Sequence, residues 1–391
     1  MYRRHPLPPT DLSGARRPSR AARTLTALAA VGGLALAGVA PAAPAHAGKP
    51  FGAVEADLNR LVAEQGFPAA LVNVRGRDGE TRDLTAGVAE LGKRRKPPVD
   101  GRVRIGSNTK TFVAVVVLQL VDEGKIKLDD SVETYLPGLL RGDGIDGRQI
   151  TVRQMLQHTS GLPDYSHHIR DYRSTYFEPR DLLDVALAHK AGPTQWRYSN
   201  TNYVVAGLLV QKVTGRPIAE EITRRIIKPL KLRDTYFPAQ GDKTIQGRHP
   251  HGYQADEAGT PRDVTEMDPS VAWTAGQMIA SPSDLNRFFA ALLSGKLLAP
   301  AQMEQMRTTV PAIQPGLPAG SRYGLGLLSK PLPCGGIYWG HGGDIDGYET
   351  RGGVTDDGRG VSLVVTVSPS GPNALGAVAA VEEAVATTLC R

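Results

Sequence analysis

The chain has 391 residues, 41% of them hydrophobic and 22% charged, and its formal net charge is +7. Residues 1–47 carry six arginines and one aspartate, which account for +5 of this charge and leave +2 on the remainder. The basic character therefore gives no reason to expect nucleic acid as a partner, and residues 48–391 are numerous enough to bury a large core in two subdomains.

The N-terminus has the three parts of a secretion signal. Residues 1–23 are rich in arginine, residues 24–40 are small and apolar, and Ala45-His46-Ala47 presents small residues at both positions that a signal peptidase reads. We predict cleavage after Ala47 and a secreted protein. Because the apolar stretch is short and rich in Ala and Gly, no stable membrane span is expected after processing; an uncleaved anchor is the alternative.

The elements predicted next are a helix, a hairpin and a second, buried helix. Residues 54–66 have helical apolar spacing, and two strands, 69–75 and 82–90, are joined around Asp78-Gly79, a strong turn signal. Residues 108–123 are apolar on nearly every face beyond the first turn, which is typical of a buried helix.

Helices are predicted through the middle of the chain and strands again near its end. The helical segments are 152–157, 180–189, 201–214, 218–227, 282–294 and 373–388, and the late strands are 337–339, 348–354 and 361–367. This order predicts an α/β fold of the α+β type, with one antiparallel sheet built from both chain ends and covered by helices. The sheet subdomain is placed at about 48–125 and 266–391, with an inserted, mostly helical subdomain at about 126–265.

The two cysteines, Cys334 and Cys390, are expected to form a disulfide, because a pair of cysteines in an exported chain usually does so. The alternative is two separate buried thiols. The chain contains no G-x-S-x-G motif, so an α/β-hydrolase is disfavoured. It also contains no H-E-x-x-H zinc motif. No metal site and no cofactor are predicted.

A serine and a lysine stand at the start of the buried helix. Ser107 is the only serine in the chain with a lysine three residues later, Lys110. Residues i and i+3 share a helix face, so the amine can lie beside the hydroxyl. A buried lysine loses its proton more readily and can then activate a serine nucleophile. Taken alone, the pattern favours an N-cap serine followed by a surface lysine.

Two further motifs follow. Tyr198-Ser199-Asn200 offers a tyrosine that could relay protons, since nearby cations would favour its phenolate, and an amide that could bind a substrate peptide bond. His341-Gly342-Gly343 follows a predicted strand; its glycines allow a substrate backbone to approach, and its histidine could carry positive charge or move protons.

Ser-x-x-Lys, Tyr-x-Asn and His-x-Gly occur here in the order found in the penicillin-recognising serine enzymes. The chain resembles the group that holds class C β-lactamases and secreted Streptomyces D-Ala-D-Ala carboxypeptidases. Further resemblance covers most of residues 48–391 and is carried by Gln157–Leu162, Tyr198–Tyr203, Trp273–Gly276, Phe288–Leu292 and Tyr323–Leu327.

The resemblance implies an acyl-enzyme mechanism on a small peptide or β-lactam substrate, with cell-wall peptidoglycan as the partner. Ser107 would be the nucleophile, while Lys110, Tyr198 and His341 would take part in proton transfer. Asn200, Gly342, Gly343 and Trp273 would contact substrate. The backbone N–H groups of Ser107 and Asp344 would form the oxyanion hole, which commonly contributes a few kcal/mol to transition-state stabilisation.

Three positions depart from the carboxypeptidase pattern. Leu328 stands where an arginine would receive the substrate carboxylate, and Gly342 and Asp344 replace hydroxyl residues. Lys330 or His341 could compensate. The first hypothesis is therefore a D-Ala-D-Ala carboxypeptidase; an esterase or D-amino-acid amidase, a β-lactamase, and a non-catalytic muropeptide- or β-lactam-binding protein remain alternatives.

Overall fold

The computed structural model describes residues 51–170, 172–256, 260–368 and 374–391, so the predicted signal at 1–47 lies outside the described residues. The helices are α1 Gly52–Gln65, α2 Asn108–Asp122, α3 Val132–Tyr135, α4 Val152–Leu156, α5 Pro179–Leu187, α6 Thr201–Thr214, α7 Ile218–Ile222, α8 Lys228–Leu230, α9 Trp273–Gly276, α10 Pro282–Leu293, α11 Pro300–Arg307 and α12 Ala374–Cys390.

The strands are mostly short. They are β1 Ala69–Arg75, β2 Thr81–Gly87, β3 Val103–Arg104, β4 Arg141–Gly142, β5 Ile145–Asp146, β6 Tyr253–Ala255, β7 Pro261–Asp263, β8 Ile279–Ala280, β9 Val310–Pro311, β10 Arg322–Tyr323, β11 Leu328–Pro331, β12 Ile337–Gly340, β13 Gly343–Ile345, β14 Tyr348–Thr355 and β15 Gly360–Val365.

Nine of the described strands form one antiparallel sheet from both ends of the described chain. Its order is β2-β1-β15-β14-β12-β11-β10-β9, and β13 pairs with β14. The N-terminal strand β1 pairs directly with β15, with Val72 opposite Leu363. The predicted fold class is confirmed, and the hairpin of β1 and β2 closes around Asp78-Gly79 as expected, with Gly79 at φ 87°.

Helices cover the sheet on two faces. On one face, α1 and α12 pack over β1 and β15 in a core that includes Leu58, Leu363 and Val385. On the other face, α2 lies at the centre of the larger core, with Phe112 stacked on Phe288 of α10. Helix α2 is buried all round, as its composition predicts.

A disulfide links the sheet to the C-terminal helix. Cys334, in the turn between β11 and β12, is disulfide-bonded to Cys390 at the end of α12, with Cα atoms 5.8 Å apart, and this confirms the predicted pair. Among the helices that the structure describes, none is long and apolar enough to cross a membrane.

Candidate active site

Ser107 and Lys110 lie together in the first turn of α2. The backbone N–H of Lys110 donates to the Ser107 carbonyl at 3.0 Å, so this turn is tight and brings side chains three residues apart into line. The Lys110 ammonium donates to Ser107 Oγ at 3.0 Å. Ser107 itself has helical backbone angles and its side chain makes no capping hydrogen bond, so the hydroxyl is free to face the lysine.

The Lys110 side chain is fully buried and its three donors all have partners. Besides Ser107, they are Asn200 Oδ1 at 2.7 Å and the Ala275 carbonyl at 2.7 Å. Burial lowers the pKa of Lys110 to about 7, although the charges of Asp164 and Asp344 oppose the shift. Near neutral pH a large fraction of this amine is therefore unprotonated and can accept a proton.

Tyr198 lies over the same pair of residues. Its hydroxyl hydrogen-bonds Ser107, and the Lys110 Nζ lies 4.8 Å from the centre of its ring. Burial raises the pKa of Tyr198 well above its ordinary value, and the hydrogen bond to Ser107 only partly offsets this. The expectation that nearby cations favour a phenolate is therefore wrong: Tyr198 is a neutral phenol that can accept and donate protons.

The amide of Asn200 connects the lysine to a nearby carboxylate. Its oxygen accepts from Lys110, and its nitrogen donates to Asp164 Oδ2 at 3.1 Å and to Ser166 Oγ at 3.2 Å. These partners fix which end of the amide is which. Asn200 therefore orients Lys110 and also brings the negative charge of Asp164 into its neighbourhood.

The third motif runs from β12 into β13 beside Ser107. At Gly343 a Cβ would overlap the Ile105 carbonyl oxygen, so only glycine allows the two backbones to pass this closely. Gly106, at φ 49°, lies against the backbone of Asp344, whose nitrogen would be 2.9 Å from a Cβ at Gly106. The contact brings the Asp344 N–H alongside the segment that carries the Ser107 N–H.

Both ring nitrogens of His341 have partners other than Ser107. Its Nε2 pairs with the hydroxyl of Tyr323 at 2.9 Å and its Nδ1 lies 2.6 Å from the Gly342 carbonyl. Burial lowers the pKa of His341 to about 3. The suggestion that His341 supplies a positive charge is therefore not supported, because the ring is neutral at physiological pH.

A cluster of charges replaces the expected anion-binding groups. Arg351 of β14 contacts Asp344, Glu349 and Glu382, at 2.9, 2.9 and 3.2 Å. Lys330 of β11 is buried and ion-paired with Glu382 of α12. Arg351 also fills the space that the missing side chain at Gly342 leaves, since a Cβ there would be 3.1 Å from Arg351 Nη1. Neither cation is free.

An open cavity of about 220 Å³ brings most of these groups together. Ser107, Tyr198, His341, Gly342 and Asp344 line it, whereas Lys110 and Asn200 are not among its lining residues. Its other walls combine the charge cluster with apolar and aromatic residues, namely Trp196, Pro315, Leu317, Tyr323, Leu328, Leu375 and Val378. Trp273 lies apart from this cavity, with its ring packed against Gly207 of α6.

Sequence reasoning missed Arg351, Glu382, Tyr323 and Asp164 as site residues. For two of them a signal existed: Arg351 lies within the strand predicted at 348–354, and Glu382 lies within the predicted helix 373–388, which is made mainly of Ala and Val. A charge at a buried position is retained only with a partner, so each indicated an ion pair. Nothing in the sequence showed that the two positions face each other.

The comparison with protein families assigns the class. The model described as Beta-lactamase matches residues 54–387, and the chain belongs to this family of serine hydrolases. A curated relative, the putative penicillin-binding protein PbpX of Bacillus subtilis (strain 168), is 32% identical over 245 residues. That match covers 61% of this chain and 55% of PbpX, so the chain spans little more than half of this relative's length.

Two solved structures are similar to this chain over most of its length. A D-stereospecific amidohydrolase from Streptomyces sp. has 39% identity and a TM-score of 0.76, with 85% of this chain and 97% of that chain covered. The D-amino acid amidase from Ochrobactrum anthropi SV3, in complex with L-phenylalanine amide, has 26% identity and a TM-score of 0.79, with 88% and 99% covered.

Proposed function

We propose that this protein hydrolyses amides or esters of D-amino acids, including short peptides with D-residues, through an acyl-enzyme on Ser107. The charge cluster of the cavity carries the proposal. Lys330 and Arg351 are buried, and both are paired with carboxylates. Among the charged residues that line the cavity, Asp344 is the most exposed, so its carboxylate is the charge that a substrate meets. Such a wall favours a substrate ammonium over a free carboxylate. An amino acid amide brings an ammonium and no carboxylate.

The site residues have the geometry for acyl transfer. Neutral Lys110 accepts the proton of the Ser107 hydroxyl as Ser107 Oγ attacks the substrate carbonyl. The backbone N–H groups of Ser107 and Asp344 receive the oxyanion. Tyr198, hydrogen-bonded to Ser107, donates its phenol proton to the leaving nitrogen or oxygen and takes back the proton that Lys110 received, so both groups return to their neutral forms. Water then hydrolyses the ester by the reverse proton route.

The apolar wall of the cavity suits the substrate side chain. Leu317, Leu375 and Val378 face the cavity together with Trp196. Burying an aromatic or large aliphatic side chain there removes apolar surface from water, which contributes roughly 25 cal/mol per Å². Similarity to the D-stereospecific amidohydrolase from Streptomyces sp. and to the D-amino acid amidase from Ochrobactrum anthropi SV3 supports the D configuration.

A D-Ala-D-Ala carboxypeptidase acting on cell-wall peptides is the second candidate. The observation that favours it is that Lys330 and Arg351 line the cavity, so a substrate carboxylate could compete for them. Secretion by cleavage after Ala47 belongs to both candidates, because peptidoglycan and extracellular D-peptides lie outside the cytoplasm. Acylation by β-lactams is expected in either case.

A single substrate panel tests the proposal. The purified protein is assayed for kcat/KM on D- and L-phenylalanine amide, a D-Ala-D-Ala peptide as free acid and as amide, and a chromogenic cephalosporin, with Ser107→Ala as the control. We expect the D-amide to be preferred over its L-isomer and the peptide amide over the acid. Preference for the acid, abolished in Lys330→Ala, would establish the carboxypeptidase instead, and fastest turnover of the cephalosporin a β-lactamase.

A further inference from the structure

His158 is a buried histidine that the proposed proton route does not use. It lies in the turn after α4, is 1% exposed and has a left-handed backbone, with φ 60°. The N–H of Arg197 donates to its carbonyl at 2.9 Å, and the N–H of Ser199 donates to its Nδ1 at 3.2 Å. Arg197 and Ser199 are the neighbours of Tyr198 in the chain, so this one histidine fixes the backbone on both sides of the tyrosine.

The His158 ring also supports the tyrosine ring. Its centre lies 4.3 Å from that of Tyr198, 4.9 Å from that of Tyr323 and 5.4 Å from that of Tyr203. Tyr323 in turn pairs with His341. The ring of His158 therefore packs at the point where the segment carrying Tyr198 meets the segment that ends in the third motif.

Hydrogen bonding sets the tautomer of His158. Its Nδ1 lies within reach of two donors, the N–H of Ser199 and the amide of Asn202 at 3.1 Å, so Nδ1 is the acceptor and the ring proton lies on Nε2. Among the described residues, Nε2 has no hydrogen-bond partner.

We propose that His158 is a positioning residue for Tyr198. Through Nδ1 and its ring it holds the Tyr198 hydroxyl at Ser107, on the path from the serine to the leaving group, without contacting substrate. A displacement of catalytic groups by about 1 Å can reduce a rate about 100-fold. The inference rests on acyl transfer at Ser107 and not on the choice of D-amides as substrates.

The test compares two substitutions that keep or remove the acceptor. Asn tolerates the left-handed backbone and presents an oxygen near the position of Nδ1, whereas Leu has neither property. The readout is the saturating burst rate, taken as the rate of the first turnover, with a chromogenic cephalosporin. Its leaving nitrogen must take up a proton, and it is expected to acylate Ser107 whichever amide or peptide is the natural substrate. We expect His158→Leu to lower the burst rate about 100-fold and His158→Asn about tenfold, with little change in the half-saturating concentration. His168→Asn and His168→Leu, at an exposed histidine, are the matched controls.

A double-mutant cycle separates positioning from general stability and does not depend on His158→Leu folding. If His158 acts through the Tyr198 hydroxyl, His158→Asn lowers the burst rate of the protein that retains Tyr198. In the Tyr198→Phe background the same substitution causes no further loss of burst rate. Equal losses in both backgrounds would overturn the proposal. So would a wild-type burst rate in His158→Asn or in a folded His158→Leu.

Discussion

The buried ammonium of Lys110 gives the protein its expected pH dependence. All its donors are satisfied, yet burial lowers its pKa to about 7, and among the described residues no carboxylate contacts the amine directly. Only the unprotonated amine can accept the Ser107 proton. At the residue scale, activity at neutral pH therefore depends on the absence of a direct counterion as much as on the presence of the lysine.

We predict that kcat/KM on an uncharged ester rises with pH up to about 7 and then levels off, falling about tenfold per pH unit below that point. Lys110→Arg should be at least about 1,000-fold slower at every pH, because a guanidinium stays protonated. The measurement is a pH series on the wild type and the variant, with circular dichroism as the control for folding. The same acid limb in an active Lys110→Arg protein would assign the titration to another group.

Asp344 determines how far Arg351 is available to substrate. Asp344→Thr removes one of three carboxylates that hold the guanidinium and also one negative charge from the cavity. We predict that kcat/KM for the free-acid D-Ala-D-Ala peptide rises about tenfold, since a charged hydrogen bond contributes roughly 1.5–3 kcal/mol, while a neutral ester changes little. Steady-state kinetics on both substrates measure this. The control is Asp356→Thr, at an exposed ion pair far along the same strand hairpin, which should change the rate on neither substrate. An unchanged kcat/KM for the free-acid peptide in Asp344→Thr would contradict the prediction.

The sequence predicts how some of these residues are placed in the site, but it does not predict the placement of others. Ser107 and Lys110 are three positions apart on one helix, so local geometry places them together. His341, Arg351 and Glu382 depend on side-chain directions in a packed sheet, and there the competition between burial and pairing decides each charge. That competition keeps the side chains of His341 and Tyr198 neutral, and no local sequence pattern predicts its outcome.

At the scale of elements, the site forms where the start of α2 meets the β12–β13 corner, and both depend on glycine. Gly106 and Gly343 allow the two backbones to lie in contact. The long periodic elements α1, α2, α6 and α10 agree with their predicted ranges to within one or two residues. The two-residue strands β3, β8, β9 and β10 were not predicted, because so few residues show no periodicity and their pairing is set by distant partners.

The disulfide fastens α12 to the β11–β12 turn. Cys334 and Cys390 are 56 residues apart, so the chain-entropy model gives about 4 kcal/mol of stabilisation, and measured values are often lower. We predict that replacing both cysteines by serine lowers the free energy of unfolding in urea by about 2–4 kcal/mol. Thiol titration of the unfolded, unreduced protein should find no free thiol, and two free thiols would refute the bridge in solution.

Across the whole molecule, the sheet depends on segments from both ends of the described chain. Strand β1 pairs with β15, and the C-terminal Arg391 contacts Asp57 of α1 at 2.9 Å. The order of the predicted elements indicated this closure, because strands were predicted near both ends of the chain and helices between them. The order of strands within the sheet could not be predicted, because it follows from crossovers between segments tens of residues apart.

Helix α12 should therefore be indispensable for folding. Deleting residues 374–391 exposes the core around Val381, Val385 and Leu389 and leaves buried Lys330 without Glu382. An unpaired buried charge alone costs about 3–5 kcal/mol, a large part of the 5–15 kcal/mol that stabilises a typical domain. We predict that the truncated protein shows no cooperative thermal transition and no ester hydrolysis. Removing Arg391 alone is the control and should cost less than about 1 kcal/mol, because it breaks one partly exposed ion pair. A truncated chain that still unfolds cooperatively and is acylated at Ser107 would show that the sheet and its catalytic serine do not require the terminal helix.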